Sequence, residues 1–118
     1  MNRQHALGSW GEEYAARWIT RTFGPPLLRN WHSAAGEVDV VFKDGSTIVL
    51  CEVKTRRNIL FGHPSEAIGE QRLDRLRRAA ELWVATQGSP RDVVRIDAIT
   101  IVPGEKDVLL AHFEDVGS

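Results

Sequence analysis

The sequence predicts a single α/β domain in which a central mixed β-sheet lies between helices. Two amphipathic helical patterns are separated by runs of β-branched and apolar residues, in the order α-β-β-β-α-β-β. Strands that alternate with long helical segments indicate a sheet covered by helices. Because 118 residues can bury one sizeable hydrophobic core but not two, we expect one domain over residues 1–118.

The first helix is predicted over residues 5–22. At 100° per residue, Glu12 lies at the edge of its apolar face, whereas Glu13 points toward solvent. Gly24-Pro25-Pro26 should end the helix, since proline cannot continue it. The apolar face recurs at steps of three and four residues and consists of Leu7, Gly11, Tyr14, Ala15, Trp18 and Ile19.

Three strands are predicted after this helix, over residues 27–31, 37–42 and 47–55. The dipeptide Asp44-Gly45 is a strong signal for a two-residue hairpin loop between the second and third of them. In the second strand, alternation places on one side Glu37, Asp39 and Val41, and on the other Val38, Val40 and Phe42. In the third, one face carries Ile48, Leu50, Glu52 and Lys54, and the other Val49, Cys51 and Val53.

The second half of the chain is predicted as a loop, a helix and two strands. Residues 56–65 should form the loop, and Ser65 is the expected N-cap of a helix over residues 66–87. Strands are expected over residues 92–102 and 108–113. The buried stripe of the second helix is predicted as Ile68, Leu76, Ala79, Ala80 and Trp83.

Charged residues in the predicted hairpin suggest a metal site. If Asp44-Gly45 is the loop, Asp39 faces Leu50 and becomes a diagonal neighbour of Glu52. Two carboxylates on one half-buried face repel each other, and a divalent cation would relieve that repulsion. Oxygen ligands without Cys or His favour magnesium, with manganese as the alternative ion. Lys54, one pleat farther on, suits the charge that develops in phosphodiester hydrolysis.

The structural alternative is an exposed Glu52–Lys54 ion pair beside a solvated Asp39, because charges on the outer face of a sheet are common. The run IVLCEVK argues against it. This run is apolar on both faces, which is typical of a central strand covered on both sides. Charged side chains there need a partner or a function.

Four sequence blocks carry a resemblance to a known family. They are Gly8-Ser9-Trp10-Gly11-Glu12 with Ala15, Asn30-Trp31 with Gly36-Glu37-Val38-Asp39, Glu52-Val53-Lys54-Thr55-Arg56, and Arg95-Ile96-Asp97. Together they resemble the YraN family of small bacterial endonuclease-like proteins. That family is placed in the PD-(D/E)xK nuclease superfamily, which has the restriction-endonuclease-like fold and includes Holliday junction resolvases.

The resemblance implies a single PD-(D/E)xK nuclease-like domain with an α-β-β-β-α-β core. By similarity, Asp39 and Glu52 would be magnesium ligands and the Val53 carbonyl a third ligand. Lys54 would be the catalytic lysine, and Glu12 a further acidic member near the metal. Val38 stands where the superfamily motif often has proline.

Arginines close behind the hairpin are the expected nucleic-acid contacts. Arg56 and Arg57 directly follow Lys54, and Arg72 stands where relatives often carry lysine. A second set on the helix, Gln71, Arg75 and Arg78, either contacts phosphates or forms an ordinary solvated helix face. Asp97, within an apolar strand, is interpreted as a structural partner of Arg95 or Arg56.

The functional hypothesis is a magnesium-dependent DNA endonuclease acting on branched or structured DNA in repair or recombination. The alternative is a non-catalytic nucleic-acid-binding module that keeps the nuclease fold. RNA stays open as a substrate, because nothing in the chain reads a 2′-hydroxyl. A chain this small covers few phosphates, which favours a homodimer. We expect a cytoplasmic protein, since the chain shows neither a signal-peptide h-region nor an apolar run of about 20 residues.

Overall fold

The structure is a computed structural model that describes residues 3–57 and 68–118. Its elements in chain order are α1 (Arg3–Thr22), β1 (Leu28–Ser33), β2 (Gly36–Asp44), β3 (Thr47–Thr55), α2 (Glu70–Thr86), β4 (Val93–Pro103) and β5 (Val108–Phe113). The predicted α/β class is confirmed, and the α-β-β-β-α-β order is followed by a fifth strand. This order agrees with a restriction-endonuclease-like core. Most of the predicted 56–65 loop lies outside the described residues.

The five strands form one mixed sheet in the order β1-β2-β3-β4-β5. The pair β3–β4 is parallel, and the other neighbouring pairs are antiparallel. β3 is therefore a central strand, as predicted. Val49 and Cys51 pack with Ile19 of α1 on one face of the sheet, and Leu50 packs with Leu76 of α2 on the other. Neither helix within the described residues has an apolar stretch long enough for a membrane crossing.

The β2–β3 hairpin is shifted by two residues from the predicted register. Asp44 pairs with Thr47, so Gly45-Ser46 is the loop, and Val41 rather than Asp39 pairs with Leu50. Gly45 has a φ of +62°, the left-handed region that the first position of a primed hairpin turn requires. A shift of two residues leaves every side chain on its predicted face, which is why the facing of β3 is still correct.

The alternation of β2 breaks at Asp39. Val41 packs on the α2 side of the sheet and Val40 on the α1 side, as a regular strand requires, but Val38 also packs on the α2 side. The prediction that Val38 and Val40 share a face is wrong, because the chain twists between them. The β1–β2 pairing is interrupted at the same place. Asn30 on β1, which has a φ of +53°, and Asp39 on β2 are both left out of the pairing.

The helix α2 begins later than predicted. Its N-cap is Gly69, which has an extended backbone (φ −71°, ψ 164°). Ser65, the predicted N-cap, lies outside the described residues. The predicted stripe is confirmed at Leu76, Ala79 and Trp83, and Ala80 is partly buried. Ile68 is buried but precedes the helix, and the helix also buries Leu73, which the prediction omitted.

Candidate active site

Three carboxyl groups from three elements converge where the β2–β3 ladder ends. Glu12 comes from α1, Asp39 from β2 and Glu52 from β3, and all three line one pocket of about 700 Å³. Glu52 is buried, with 6% of its surface exposed, while Glu12 and Asp39 are half-buried. Val53 and Lys54 line the same pocket. The structure thus brings together the residues that the sequence singled out as a catalytic and metal-binding set.

Asp39 binds the backbone of β3 just beyond the end of the ladder. The last β2–β3 pair is Val40–Cys51. Past it, the Val53 N–H donates a 2.8 Å hydrogen bond to Asp39 Oδ2. Because the N–H and C=O of a strand residue point to the same side, the Val53 carbonyl also points toward β2. That direction is the one that the predicted ligand role of Val53 requires.

The pKa values of two of the three carboxyl groups, those of Glu12 and Glu52, are raised. Burial raises the pKa of Glu12 to about 7, helped by the charge of Asp39 and a hydrogen bond with it. Burial also raises the pKa of Glu52 to about 7, although its hydrogen bonds with Arg72 act in the opposite direction. Both glutamates are therefore only partly ionised near neutral pH, and a cation bound among them would favour their ionised forms.

Glu52 has a partner that was not predicted. Arg72 Nε donates to Glu52 Oε2 at 2.9 Å and Arg72 Nη2 donates to Oε1 at 2.8 Å, a bidentate ion pair. Arg72 lies in the first turn of α2. The sequence suggested that Arg72 contacts phosphate. In this structure its guanidinium instead binds Glu52, a predicted metal ligand.

The donor chemistry suits a hard divalent cation, but the carboxylates do not yet surround one. Within residues 3–57 and 68–118, no three His, Cys, Asp or Glu side chains form a group that could hold an ion. Both Glu52 oxygens face Arg72, and Asp39 Oδ2 faces the Val53 N–H. Carboxylate and carbonyl oxygens are ligands that Mg²⁺ accepts. The residues therefore fit the ion by chemistry, and Glu52 becomes available as a ligand once Arg72 no longer holds both of its oxygens.

Two cationic side chains on the rim of the pocket are unengaged. Lys54 and Arg57 are exposed and line the pocket, and in the described part of the chain neither has a hydrogen-bond or ion-pair partner. Arg56, predicted to share this role, does not line the pocket. Its backbone N–H donates to the Ile101 carbonyl at 2.8 Å, and its buried Nε has no hydrogen-bond partner among the described residues. Of the two arginines, Arg57 is the one that lines the pocket.

The predicted stripe on α2 lies beside this pocket. Gln71, Arg75 and Arg78 are exposed and share a shallow surface depression. Arg75 also lines a narrow cleft together with Arg72, between α2 and the start of β2. Arg77 differs from these residues, because ion pairs with acidic neighbours on α2 engage it. The basic surface of α2 therefore consists of Arg72, Arg75 and Arg78, and the acidic residues Asp74 and Glu81 line the same depression as Arg75 and Arg78.

Two further residues, Cys51 and Asp97, are buried and do not line the pocket. Cys51 is fully buried, and burial raises the pKa of its thiol well above the usual range. Asp97 is also fully buried and forms a bidentate ion pair with Arg95, at 2.8 and 2.9 Å, and not with Arg56. The Arg95 interpretation is confirmed.

Gly11 lets α1 approach β3 closely enough to bring Glu12 to the site. It is buried, and a Cβ built on it would overlap Thr55 Oγ1 and lie 3.0 Å from Thr55 Cβ. Gly8, one turn earlier, has no atom within 4 Å of such a Cβ. The two glycines are on the same helix, so they separate the effect of close packing from that of helix propensity.

We expect Gly11→Ala to destabilise the protein by about 1–3 kcal/mol through overpacking. The higher helix propensity of alanine should offset up to about 1 kcal/mol of this loss. It should also weaken divalent-ion binding, because Glu12 moves with the helix. Urea denaturation and ion titration measure the two effects. Gly8→Ala, the matched control, should be neutral or stabilising. A Gly11→Ala protein with unchanged ion affinity would show that the helix position does not matter to the site.

Comparison with known proteins places the chain among proteins of one family. The family model described as "Uncharacterised protein family UPF0102" matches residues 11–101. A UPF0102 protein of Streptomyces griseus subsp. griseus is 46% identical over 103 residues, covering 86% of this chain and 87% of the relative. A UPF0102 protein of Renibacterium salmoninarum is 37% identical over 118 residues, covering 99% of this chain and 100% of the relative.

Proposed function

The chain belongs to uncharacterised protein family UPF0102, and we propose that it is a divalent-metal-dependent endonuclease that hydrolyses phosphodiester bonds in DNA. UPF0102 is the YraN family, so the family resemblance predicted from the sequence is confirmed. One observation carries the proposal: Glu12, Asp39, Glu52 and Lys54 line a single pocket. A pure binding module has no need to place three carboxylates where the phosphates of its ligand would lie.

The residues divide the work by their chemistry. Asp39, Glu52, Glu12 and the Val53 carbonyl would hold Mg²⁺, or Mn²⁺ in its place. Such an ion, when bound, supplies an activated water and stabilises charge on the phosphate. The Val53 N–H fixes the orientation of Asp39 through a hydrogen bond to Oδ2. The unengaged ammonium of Lys54 donates hydrogen bonds to a phosphate oxygen or to the attacking water.

The substrate we propose is branched or otherwise structured DNA, as in repair or recombination. The pocket opens at one rim with Arg57, and Arg75 and Arg78 continue the basic surface along α2. This cationic surface is limited, because Asp74 and Glu81 line the same depression and the chain as a whole has a net charge of −1. We therefore propose that two copies act together on a duplex, and that the protein acts in the cytoplasm.

The test is cleavage of labelled duplex, branched, flapped and single-stranded DNA, and of matched RNA, with Mg²⁺, Mn²⁺ or EDTA. We expect metal-dependent cleavage of DNA that weakens below about pH 7, because protons on Glu12 and Glu52 then compete with the ion. The Asp39→Asn protein, purified in the same way, controls for contaminating nucleases and should be inactive. Equal cleavage by both proteins, or none on any substrate, would reject the proposal.

The same material distinguishes the non-catalytic alternative. A binding module would bind DNA with a strong salt dependence that is the same in EDTA and in Mg²⁺, and it would cut none of the substrates. Preferential cutting of the RNA panel would keep the proposed chemistry and change the substrate class.

A further inference from the structure

Arg72 binds the carboxylate of Glu52, which is also a proposed ligand of the metal ion. Its guanidinium donates one hydrogen bond to each oxygen of Glu52, at 2.9 and 2.8 Å. A bidentate pair of this kind aligns the carboxylate with the guanidinium plane. Within the described residues the acids share a pocket but do not form an ion-holding group, and both oxygens of Glu52 are engaged by Arg72.

The two partners differ in their freedom to move. The Glu52 side chain, on the central strand, is 8% exposed, whereas the Arg72 side chain is 40% exposed. An exposed arginine can turn toward solvent at little cost, but a buried carboxylate cannot follow it. If Arg72 left without a replacement, Glu52 would keep a buried charge with Asp39 nearby and no cation in contact. Departure of Arg72 is therefore favourable when another cation takes its place.

Arg72 also faces places that a phosphate could occupy. It lines the main pocket together with Lys54 and Arg57. It lines the narrow cleft together with Arg75 as well. A guanidinium released from Glu52 would therefore stand between other cationic side chains, at the point where the pocket meets the basic surface of α2. Arginine forks bind phosphate oxygens in the same bidentate way as carboxylates.

We propose that Arg72 is an exchangeable countercharge, bound to Glu52 when no divalent cation is present and released to a DNA phosphate when one binds. The inference rests on the proposed function, because it assumes a cation held by Glu12, Asp39 and Glu52. It adds that ion binding and DNA binding are coupled through one side chain. By linkage, each ligand then raises the affinity for the other.

The competing role for Arg72 is a permanent support that orients Glu52 toward the ion. The two roles predict opposite signs for the effect of Arg72→Gln on ion affinity in the absence of DNA. If Arg72 competes with the ion, its removal should tighten Mn²⁺ binding by roughly tenfold or more, since a positive charge in contact with a ligand is lost. If Arg72 supports Glu52, its removal should weaken Mn²⁺ binding.

The experiment is calorimetric titration of the wild type, Arg72→Gln and Arg72→Lys with Mn²⁺ alone. Lysine keeps the positive charge but cannot form the bidentate hydrogen bonds of the guanidinium. Arg72→Lys should therefore bind Mn²⁺ with an affinity between those of the wild type and Arg72→Gln. Arg72→Gln should melt at a lower temperature than the wild type in EDTA, and saturating Mn²⁺ should close that gap. These melting curves also confirm that each variant is folded.

A second measurement follows the released guanidinium. With uncut DNA, in Mn²⁺ and in the inactive Lys54→Met background, Arg72→Gln should reduce the salt dependence of binding by about one phosphate contact. In EDTA, where Arg72 is held by Glu52, the substitution should not change that slope. Arg75→Gln is the matched control from the same helix. It should reduce DNA binding with or without Mn²⁺ and leave the Mn²⁺ affinity unchanged.

The outcomes separate this inference from the proposed function. Weaker Mn²⁺ binding by Arg72→Gln, or an equal loss of DNA contacts in EDTA and in Mn²⁺, overturns the exchange while a cleaving wild-type protein keeps the proposed function. A wild-type protein that binds no Mn²⁺ and cuts no nucleic acid overturns both.

Discussion

Replacing Lys54 with methionine is expected to lower the rate of DNA cleavage by roughly 10²–10⁴-fold, the usual range for removing a positioned proton donor or charge from a transition state. Methionine keeps most of the apolar stem of the side chain and removes only the ammonium. Lys54 is exposed and, within the described residues, has no partner. The substitution should therefore leave the melting temperature unchanged and Mn²⁺ affinity within a few-fold of the wild type.

The matched control is Lys43→Met. Lys43 lies on β2 near the hairpin loop, is exposed, and pairs through its backbone with Ile48, away from the pocket. The same change of charge there should alter the cleavage rate by no more than about twofold. Full activity of the Lys54→Met protein in single-turnover assays would remove Lys54 from the mechanism and leave the carboxylates as the only catalytic candidates.

Local patterns predicted most of the fold because the strongest signals depend on near neighbours. The run IVLCEVK identified β3 as a central strand, and β3 indeed packs against α1 on one face and α2 on the other. The hairpin register was less secure, because Asp44-Gly45 and Gly45-Ser46 are both acceptable two-residue loops. The structure adopts the register that places Gly45 at the first position of the loop. The strand patterns cannot distinguish the two registers, because a shift of two residues leaves every side chain on the same face.

The site could be predicted only where its members are close in sequence or carry a motif. Asp39, Glu52 and Lys54 come from one hairpin, and the rim position of Glu12 follows from helical periodicity. The Arg72–Glu52 pair could not be found in this way, because its partners are 20 positions apart and it depends on how α2 packs over β3. The twist of β2 at Asp39 also depends on packing, and it interrupts an alternation that reads as regular.

The second large effect is expected on stability, at Asp97. Its carboxylate is fully buried and accepts hydrogen bonds from Arg95, from His112 Nε2 at 2.7 Å and from the Asp115 N–H at 3.0 Å. Burial alone would raise the pKa of Asp97, but these hydrogen bonds outweigh burial and the net shift of its pKa is downward. Asp97 thus ties β4 to β5 and to the C-terminal segment. Arg95 also contacts Asp44 at 3.0 Å, at the end of β2.

Asp97→Ala should therefore reduce the free energy of unfolding by about 3 kcal/mol, because it leaves Arg95 Nε and the Asp115 N–H without the acceptor that they share. For a domain of this size the melting temperature should fall by roughly 10 °C. Asp74→Ala provides a control that isolates burial. The Arg77–Asp74 pair is just as short, at 2.7 Å, but the Asp74 side chain is 65% exposed, and its loss should change stability by at most about 0.5 kcal/mol. Urea denaturation of both variants gives the comparison. Equal losses would mean that Asp97 contributes no more than a surface ion pair, and that other contacts hold the C-terminal segment on the sheet.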